Sequence, residues 1–239
     1  MINFNQYKVL TFDCYGTLID WESGILAALK PLVANHKQNL DDEKLLQLFA
    51  QFESEIQKGE YLTYKEILRK VVERFGEQFD FAPNSEELYA LSNSIKNWLP
   101  FPDTVEALKS LKNQFKLAII SNVDDNLFAD SAKHLTVDFD WIITAEQIKS
   151  YKPALNNFRA AIERMGLPKE QILHVACSVY HDIIPAQSLG ISTVWVNRRA
   201  GKEGAGANLP VVAQADLEVP NLQTLANLSV SDKERSQQT

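Results

Sequence analysis

Four short segments of this chain place polar side chains at the ends of apolar runs, where they could act together on a small molecule. Asp13 follows the run YKVLTF and precedes a Gly-containing turn, while Ser121 and Asn122 follow the run KLAII. Lys152 lies in the segment SYKP, and Asp182 lies in YHDIIPA. Asp13 taken alone could equally be a helix or turn cap. Convergence of four such segments favours a binding or catalytic site.

The elements that would position these residues are apolar runs rich in β-forming residues, separated by segments long enough for helices. The predicted strands are Tyr7–Phe12, Lys116–Ile120, Trp141–Thr144, Ile172–Ala176 and Ser192–Val196. This alternation predicts an α/β fold, a doubly wound Rossmann-like parallel sheet with helices on both faces. Ligands of such sheets bind at the carboxyl ends of the strands, so the four polar segments are expected to meet in one crevice.

The segment between the first two predicted strands has a different pattern, with four apolar stripes at helical spacing. The stripes are Ile25, Leu29, Leu32 and Val33; Leu45, Leu48, Phe49, Phe52 and Ile56; Ile67, Leu68, Val71, Val72 and Phe75; and Leu88, Leu91, Ile95 and Trp98. They predict an inserted four-helix cap that covers the crevice. The segment ends at Leu99-Pro100-Phe101-Pro102, where two prolines prevent helix continuation and indicate a hinge.

These patterns predict the domain organisation of the chain. A core domain would comprise residues 1–18 and 100–228, the cap would comprise residues 19–99, and residues 229–239 would form a disordered tail, since SVSDKERSQQT is polar. The glycines of the segment GKEGAG are not followed by a helical pattern, so we interpret that segment as a flexible surface loop.

The composition narrows the function further. The chain has 239 residues and a net charge of -7, from 24 Lys and Arg against 31 Asp and Glu, which disfavours a broad nucleic-acid surface. It has no uninterrupted apolar run of about 18 residues and no leader pattern at its start, so a membrane partner and export are not expected. The two cysteines cannot build a disulfide framework. We therefore expect a cytoplasmic protein whose partner is a small molecule.

The order of the polar segments resembles the haloacid dehalogenase superfamily, and the resemblance extends over Phe12–Arg198. FDCYGTL is similar to the first motif of that superfamily, the Ser-Asn pair 121–122 to the second, the Lys-Pro pair 152–153 to the third, and Asp182 to an acid of the fourth. The resemblance implies a hydrolase with Asp13 as nucleophile, and it implies that the helical insert is the helical cap of the family.

Two positions indicate the branch of the superfamily. Its magnesium-dependent phosphatases carry a second Asp in the first motif and a further acid in the fourth, where this chain has Tyr15 and Cys177. The sequence instead resembles the L-2-haloacid dehalogenases, which use neither a metal nor another cofactor. This resemblance implies that Asp13 attacks C2 of a small 2-substituted carboxylic acid and that water hydrolyses the resulting aspartyl ester. A magnesium phosphatase and a non-enzymatic binding protein are the less favoured alternatives.

The same resemblance assigns roles to four catalytic residues besides Asp13. Lys152 would keep Asp13 ionised and oriented, although a surface lysine is the alternative. Asp182 would pair with Lys152 and position the hydrolytic water, or would cap the following helix. Thr17 and Ser121 would hydrogen-bond the nucleophile or the carboxylate of the substrate, roles that are compatible with turn capping.

Three further residues are expected to contact the substrate. Asn122 would face the leaving group, and Tyr15 and His181 would line the pocket, although simple packing is nearly as well supported for all three. No metal ligand is predicted.

The sequence also departs from the dehalogenases. That family receives the halide with a cap arginine, yet the only arginines of this cap are Arg69 and Arg74, both in its third predicted helix. FDCYGTLIDWE and RRAGKEG are instead similar to the azetidine-2-carboxylate hydrolases of the superfamily, which open a strained ring with the same kind of nucleophile. The substrate alternatives are thus a 2-haloacid and azetidine-2-carboxylate, and a homodimer is left open.

Overall fold

The computed structural model describes residues 2–236, including the side chains of residues 2–232, and has the predicted α/β architecture. Its described strands form a six-stranded parallel sheet in the order β3-β2-β1-β4-β5-β6. The strands are β1 Val9–Phe12, β2 Lys116–Ser121, β3 Trp141–Thr144, β4 Ile172–Ala176, β5 Ser192–Val196 and β6 Leu217–Val219. The strand order reverses between β1 and β4, which is where doubly wound sheets bind their ligands.

Helices cover both faces of the sheet. They are α1 Trp21–Asn35, α2 Asp42–Gln57, α3 Tyr64–Phe79, α4 Ala90–Ser94, α5 Thr104–Lys112, α6 Asp125–Leu135, α7 Ala145–Ile148, α8 Asn156–Met165, α9 Ile184–Ser188 and α10 Leu222–Ser236. Along β1, Val9 packs in a cluster with α8 and α9, whereas Leu10 packs in the main cluster with α5 and α10. Burial on both faces explains why the strands are continuous apolar runs and not alternating ones.

Helices α1 to α4 form the helical insert between β1 and β2. The N-terminus of α1 is capped by Asp20, that of α2 by Asp41, and that of α3 by Thr63 in a capping box with Glu66. The fourth predicted helix is interrupted, because α4 is flanked by the 3-10 turns Glu87–Tyr89 and Ile95–Asn97. Serine hydroxyls in this segment bond backbone carbonyl groups three residues earlier, which competes with regular helix geometry.

The prediction of a disordered tail at residues 229–239 is wrong as far as residue 236. Helix α10 continues to Ser236, and within it Ser229 is fully buried and bonds the carbonyl of Ala226. The backbone N–H of Phe4 donates to Asp232 Oδ2, which ties the helix to the start of the chain. The polar composition of this segment gave no sign of a helix. The helix is anchored in the core by Leu222 and Leu225, which lie before the segment. Residues 237–239 of the predicted tail lie outside the described residues.

Among residues 2–236, no helix combines the length and the apolar character needed to cross a membrane.

Candidate active site

Asp13 is the first residue after β1, at the carboxyl end of the strand and next to the point where the strand order reverses. The chain then turns sharply, with the N–H groups of Leu18 and Ile19 both donating to the carbonyl of Cys14. Gly16 occupies this turn at φ 87°, and a Cβ there would lie 2.8 Å from Cys177 Sγ. Only glycine fits both the backbone conformation and the space.

Lys152 extends from the loop after α7 to the end of β1. Its Nζ donates to Asp13 Oδ1 at 2.9 Å, to Asp182 Oδ1 at 2.7 Å and to the carbonyl of Ile120 at 2.9 Å. These three bonds use all the hydrogens of an ammonium group, and the lysine is 2% exposed. The side chain is therefore a buried cation that fixes two carboxylates relative to each other.

Thr17 fixes the second oxygen of Asp13. Its hydroxyl donates to Asp13 Oδ2 at 2.7 Å and accepts from the N–H of Cys177 at 2.9 Å. The Asp13 carboxylate is thus held at both oxygens, by a cation on one side and a hydroxyl on the other. A side chain held in this way is oriented before any substrate arrives.

Asp182 is hydrogen-bonded to a histidine that the sequence interpretation missed. His174 of β4 lies 2.9 Å from Asp182 Oδ1 through Nε2 and 2.8 Å from Thr11 Oγ1 through Nδ1. Since a carboxylate can only accept, Nε2 carries the hydrogen that bonds Asp182, and Nδ1 pairs with the hydroxyl of Thr11. The other carboxylate oxygen, Asp182 Oδ2, is buried and has no protein partner among the described residues.

Burial and charge act against each other at these groups. Burial by itself would lower the pKa of Lys152, but Asp13 and Asp182 outweigh it and raise that pKa, so the lysine stays a cation. Burial raises the pKa of Asp13, and Lys152 and Thr17 act against that shift. Burial likewise opposes the ionisation of Asp182, but Lys152 and His174 outweigh it, and the pKa of Asp182 is lowered.

A cavity of about 40 Å³ lies over these residues, between the sheet edge and the helical insert. Its lining comprises Asp13, Tyr15, Trp21, Glu53, Tyr64, Ser121, Asn122, Lys152, Ser178, His181, Asp182 and Asn208. Ser121 Oγ is buried and, like Asp182 Oδ2, has no protein partner in the described part of the chain. Because an unpaired buried polar atom is costly, these two oxygens mark where a substrate or a water is to be bound.

The predicted substrate-binding residues all line this cavity, but their polar groups have partners. Both amide atoms of Asn122 bond the backbone of Lys152, at 2.7 Å to its N–H and 3.0 Å to its carbonyl, so Asn122 holds the lysine loop. The Tyr15 hydroxyl lies 2.9 Å from Ser131 Oγ. His181 Nδ1 lies 3.2 Å from Ser178 Oγ, and burial lowers the pKa of His181 to about 4, so the ring is neutral.

Glu53 and Tyr64 are cavity residues that the sequence interpretation also missed. Glu53 belongs to α2 and is 5% exposed, and the hydroxyl of Tyr64 donates to Glu53 Oε1 at 2.7 Å. The start of α3 is fixed to the core, since the N–H groups of Tyr64 and Lys65 donate to the carboxylate of Asp124. A signal existed in the sequence, because Glu53 follows Phe49 by one helical turn on an otherwise apolar face.

Solved structures share this architecture. An L-2-haloacid dehalogenase from Xanthobacter autotrophicus with chloropropionic acid covalently bound superposes with a TM-score of 0.76 and 21% identity, covering 93% of this chain and 98% of that one. A magnesium-bound HAD-hydrolase from Bacillus subtilis superposes with a TM-score of 0.75 and 18% identity, covering 94% and 99%. At these identities the likeness shows the fold.

Sequence comparisons extend the likeness to curated proteins. An (S)-2-haloacid dehalogenase of Pseudomonas putida is 27% identical over 197 residues, which cover 80% of this chain and 85% of that protein. The (S)-2-haloacid dehalogenase 4A of Burkholderia cepacia is 25% identical, over 82% of this chain and 85% of its own length. The family model of the haloacid dehalogenase-like hydrolases matches residues 7–190, from before β1 to just past the end of α9. With this match and the motif residues gathered at one sheet edge, the chain belongs to the haloacid dehalogenase-like hydrolases.

Proposed function

We propose that this hydrolase displaces the 2-substituent of a small carboxylic acid, with Asp13 as nucleophile and an aspartyl ester as intermediate. The observation that carries the proposal is the placement of Asp13. Its carboxylate is held at both oxygens by Lys152 and Thr17. It faces a small cavity whose lining residues include Ser121 and Asp182, each with a buried oxygen that has no partner within the described residues.

In the first step, an oxygen of Asp13 attacks C2 of the substrate, and the bond from C2 to its substituent breaks with its electron pair leaving on the substituent. The carboxylate of the substrate needs hydrogen-bond donors, and Ser121 offers a hydroxyl that has no other partner among the described residues. Lys152 and Thr17 favour the ionised form of the nucleophile against the effect of burial and align it, so little reorganisation is needed on the way to the transition state.

In the second step, water attacks the carbonyl carbon of the Asp13 ester, and the hydroxy acid departs with the oxygen that Asp13 supplied. Asp182 Oδ2 can accept a hydrogen bond from that water, since this oxygen is buried at the cavity and has no protein partner in the described residues. His174 and Lys152 hold the other oxygen of Asp182 and thereby set the direction in which Oδ2 points.

The first substrate candidate is a 2-haloacid, because the curated relatives include (S)-2-haloacid dehalogenases that match along four fifths of this chain. The second is azetidine-2-carboxylate, the ring-opening alternative with the same mechanism. The cap side of the cavity favours the second, since no arginine lines this cavity in the described residues and Glu53 faces it. A cytoplasmic location and a homodimer stay predictions.

A magnesium-dependent phosphatase fits the residues poorly. Magnesium needs near-octahedral oxygen ligands, usually with one or two carboxylates that are free to bind it. Here Lys152 Nζ already occupies one oxygen each of Asp13 and Asp182, and the hydroxyl of Tyr15 is paired with Ser131. The side chain of Cys177, where those phosphatases have an acid, has no oxygen to offer a metal.

The experiment supplies (S)-2-chloropropionate, azetidine-2-carboxylate and p-nitrophenyl phosphate in turn, with and without magnesium. We expect chloride or ring-opened amino acid to be released without magnesium. A single turnover in ¹⁸O-water should label the Asp13 side chain, as read by mass spectrometry of the Asp13 peptide. Phosphate release that requires magnesium, as the sole activity, would contradict the proposal. So would label in the product alone, which would mean direct attack of water on the substrate.

A further inference from the structure

Glu53 is a buried carboxyl group that the hydrolytic steps described above do not use. It projects from α2 into the cavity that holds Asp13, and within the described residues its carboxyl group accepts one hydrogen bond, from the hydroxyl of Tyr64. No lysine, arginine or histidine forms an ion pair with Glu53 in the described part of the chain. Burial raises its pKa to about 7, and the nearby Asp13 adds to that shift.

A purely structural role does not explain a carboxyl group here. A buried carboxylate without a cation is unfavourable, and glutamine would accept the same hydrogen bond from Tyr64 without that cost. The group also does not hold the cap onto the core, since Asp124 does so by accepting from the start of α3. The carboxyl group therefore points to a ligand that offers a positive charge.

The charges of the other lining residues also favour a positively charged ligand. Lys152 is the one ammonium or guanidinium among its described lining residues, and its three hydrogens are taken by Asp13, Asp182 and Ile120. His181 is neutral, as its lowered pKa shows. An anionic leaving group would thus find no uncommitted cation in the described lining and would meet Glu53. A protonated nitrogen would be attracted to it.

We propose that Glu53 binds the leaving nitrogen of the substrate, so that the preferred substrates are 2-carboxylates whose C2 carries the protonated nitrogen of a strained ring. This inference rests on the proposed function, because it requires attack of Asp13 on C2. It assigns the selection of the leaving group to the cap and the displacement to the core.

The reaction balances with Glu53 as a carboxylate beside the ring ammonium. Asp13 attacks C2, the C2–N bond breaks, and its electron pair stays on nitrogen, which becomes a primary amine. Water then cleaves the ester, giving the hydroxyl group of the product and one proton, and the amine takes that proton to become an ammonium. Glu53 contributes by keeping the ring nitrogen protonated, because an unprotonated nitrogen would have to leave as a very basic anion.

The test compares the wild-type enzyme with Glu53→Gln, which keeps an acceptor for Tyr64 and removes the charge. With azetidine-2-carboxylate we expect kcat/KM to fall by about 100-fold, the loss typical of removing one partner of a buried charge pair. With (S)-2-chloropropionate we expect no fall. The matched control is Glu55→Gln, two residues away on the solvent-exposed side of α2, which should change neither.

A binding measurement separates recognition from turnover. Pyrrolidine-2-carboxylate and cyclopentanecarboxylate have the same ring size and carboxylate but differ in the ring nitrogen, and neither ring is strained. Calorimetry should show the nitrogen ring binding at least about tenfold more tightly to the wild type. Glu53→Gln should lose that preference.

The outcomes are distinguishable. If neither reactive substrate leaves label on Asp13, the proposed function fails and this inference fails with it. If (S)-2-chloropropionate labels Asp13 while azetidine-2-carboxylate does not, the proposed function stands and the role of Glu53 is overturned. An equal loss with both substrates in Glu53→Gln, or an unchanged preference between the two ring acids, would also overturn it.

Discussion

The two walls of the cavity are built on different principles. On the core wall, Asp13, Thr17, Lys152 and Asp182 are joined by short hydrogen bonds, with His174 supporting them from within the sheet. The cap wall presents Glu53 and Tyr64, which bond to each other and offer a carboxyl group that no cation pairs with in the described residues. The core wall thus holds the groups that are proposed to react, while the cap wall carries the group that is proposed to select the substrate.

The loop after β5 connects the two walls. Arg199 donates to Glu22 of α1 at 2.7 Å and to Glu43 of α2 at 2.8 Å. The N–H groups of Gly206 and Ala207 donate to the same two carboxylates. The glycine-rich segment predicted as a flexible surface loop is therefore fastened to the cap. Gly206 has a φ of 60°, and a Cβ at this position would clash with the carboxylate of Glu22.

The largest effect is expected from disabling the nucleophile on the core wall. We predict that Asp13→Asn lowers turnover of every substrate by more than about 10⁴-fold, because an amide cannot form the ester. Lys152 keeps its bonds to Asp182 and Ile120, so the fold should persist, which a circular-dichroism spectrum and a melting curve would check. Substantial turnover in a folded Asp13→Asn protein would show that the two walls do not divide the work in this way.

The buried carboxyl group of Glu53 on the cap wall should make the stability of the protein depend on pH. The pKa of Glu53 lies near 7 in the folded protein, against an ordinary 4.5, so the folded state binds a proton more tightly than the unfolded state does. The contribution of Glu53 to stability should therefore decrease as pH rises from about 4.5 to 7, and Glu53→Gln should lack that contribution. The difference should reach at most about 3 kcal/mol, or several degrees in Tm.

Other titrating groups do not obscure that measurement. Asp13, Tyr64 and Tyr151 face Glu53 from the core wall, α3 and the loop after α7. His181, with its pKa lowered to about 4, has the opposite sign, since the folded protein gains stability as pH rises through its range. All four are present in both proteins, so they largely cancel in the difference of the two Tm values. A difference that does not vary with pH would show that Glu53 is not held as a buried acid.

A smaller effect should follow from removing the support of the core wall. We predict that His174→Leu slows turnover roughly 10- to 100-fold, the effect of losing a hydrogen bond to a charged group. Because Asp182 is proposed to position the hydrolytic water, the second step should suffer more than the first, and aspartyl ester should accumulate on the Asp13 peptide. His174→Gln retains a donor for Asp182 and should recover part of the rate. Equal rates in the two variants would leave His174 with a packing role.

The sequence predicted the core wall far better than the cap wall, for a physical reason. Parallel strands end at one edge, so polar residues after β1, β2 and β4 had to meet there once the strands were recognised. His174 was not predicted as a site residue, because one polar residue within ILHVA does not disturb the pattern of a buried strand. Its partner Thr11 became visible only with the register of β1 against β4. Glu53 was not predicted as a cavity residue, because a glutamate on an amphipathic helix ordinarily faces solvent. In addition, no sequence pattern specifies how a cap helix docks on a core.

The smallest predicted effect tests how the two walls are held together. Arg199→Gln should raise KM roughly two- to fivefold and leave kcat nearly unchanged, since half-buried ion pairs each contribute about 1 kcal/mol or less. The N–H groups of Gly206 and Ala207 still bond Glu43 and Glu22, so the loop is loosened and not released. Arg74→Gln, which breaks an exposed pair with Glu55 on the far side of α2, is the control and should change nothing. A fall in kcat with constant KM would mean that Arg199 acts on the chemistry of the core wall, and the separation between the two walls would then be wrong.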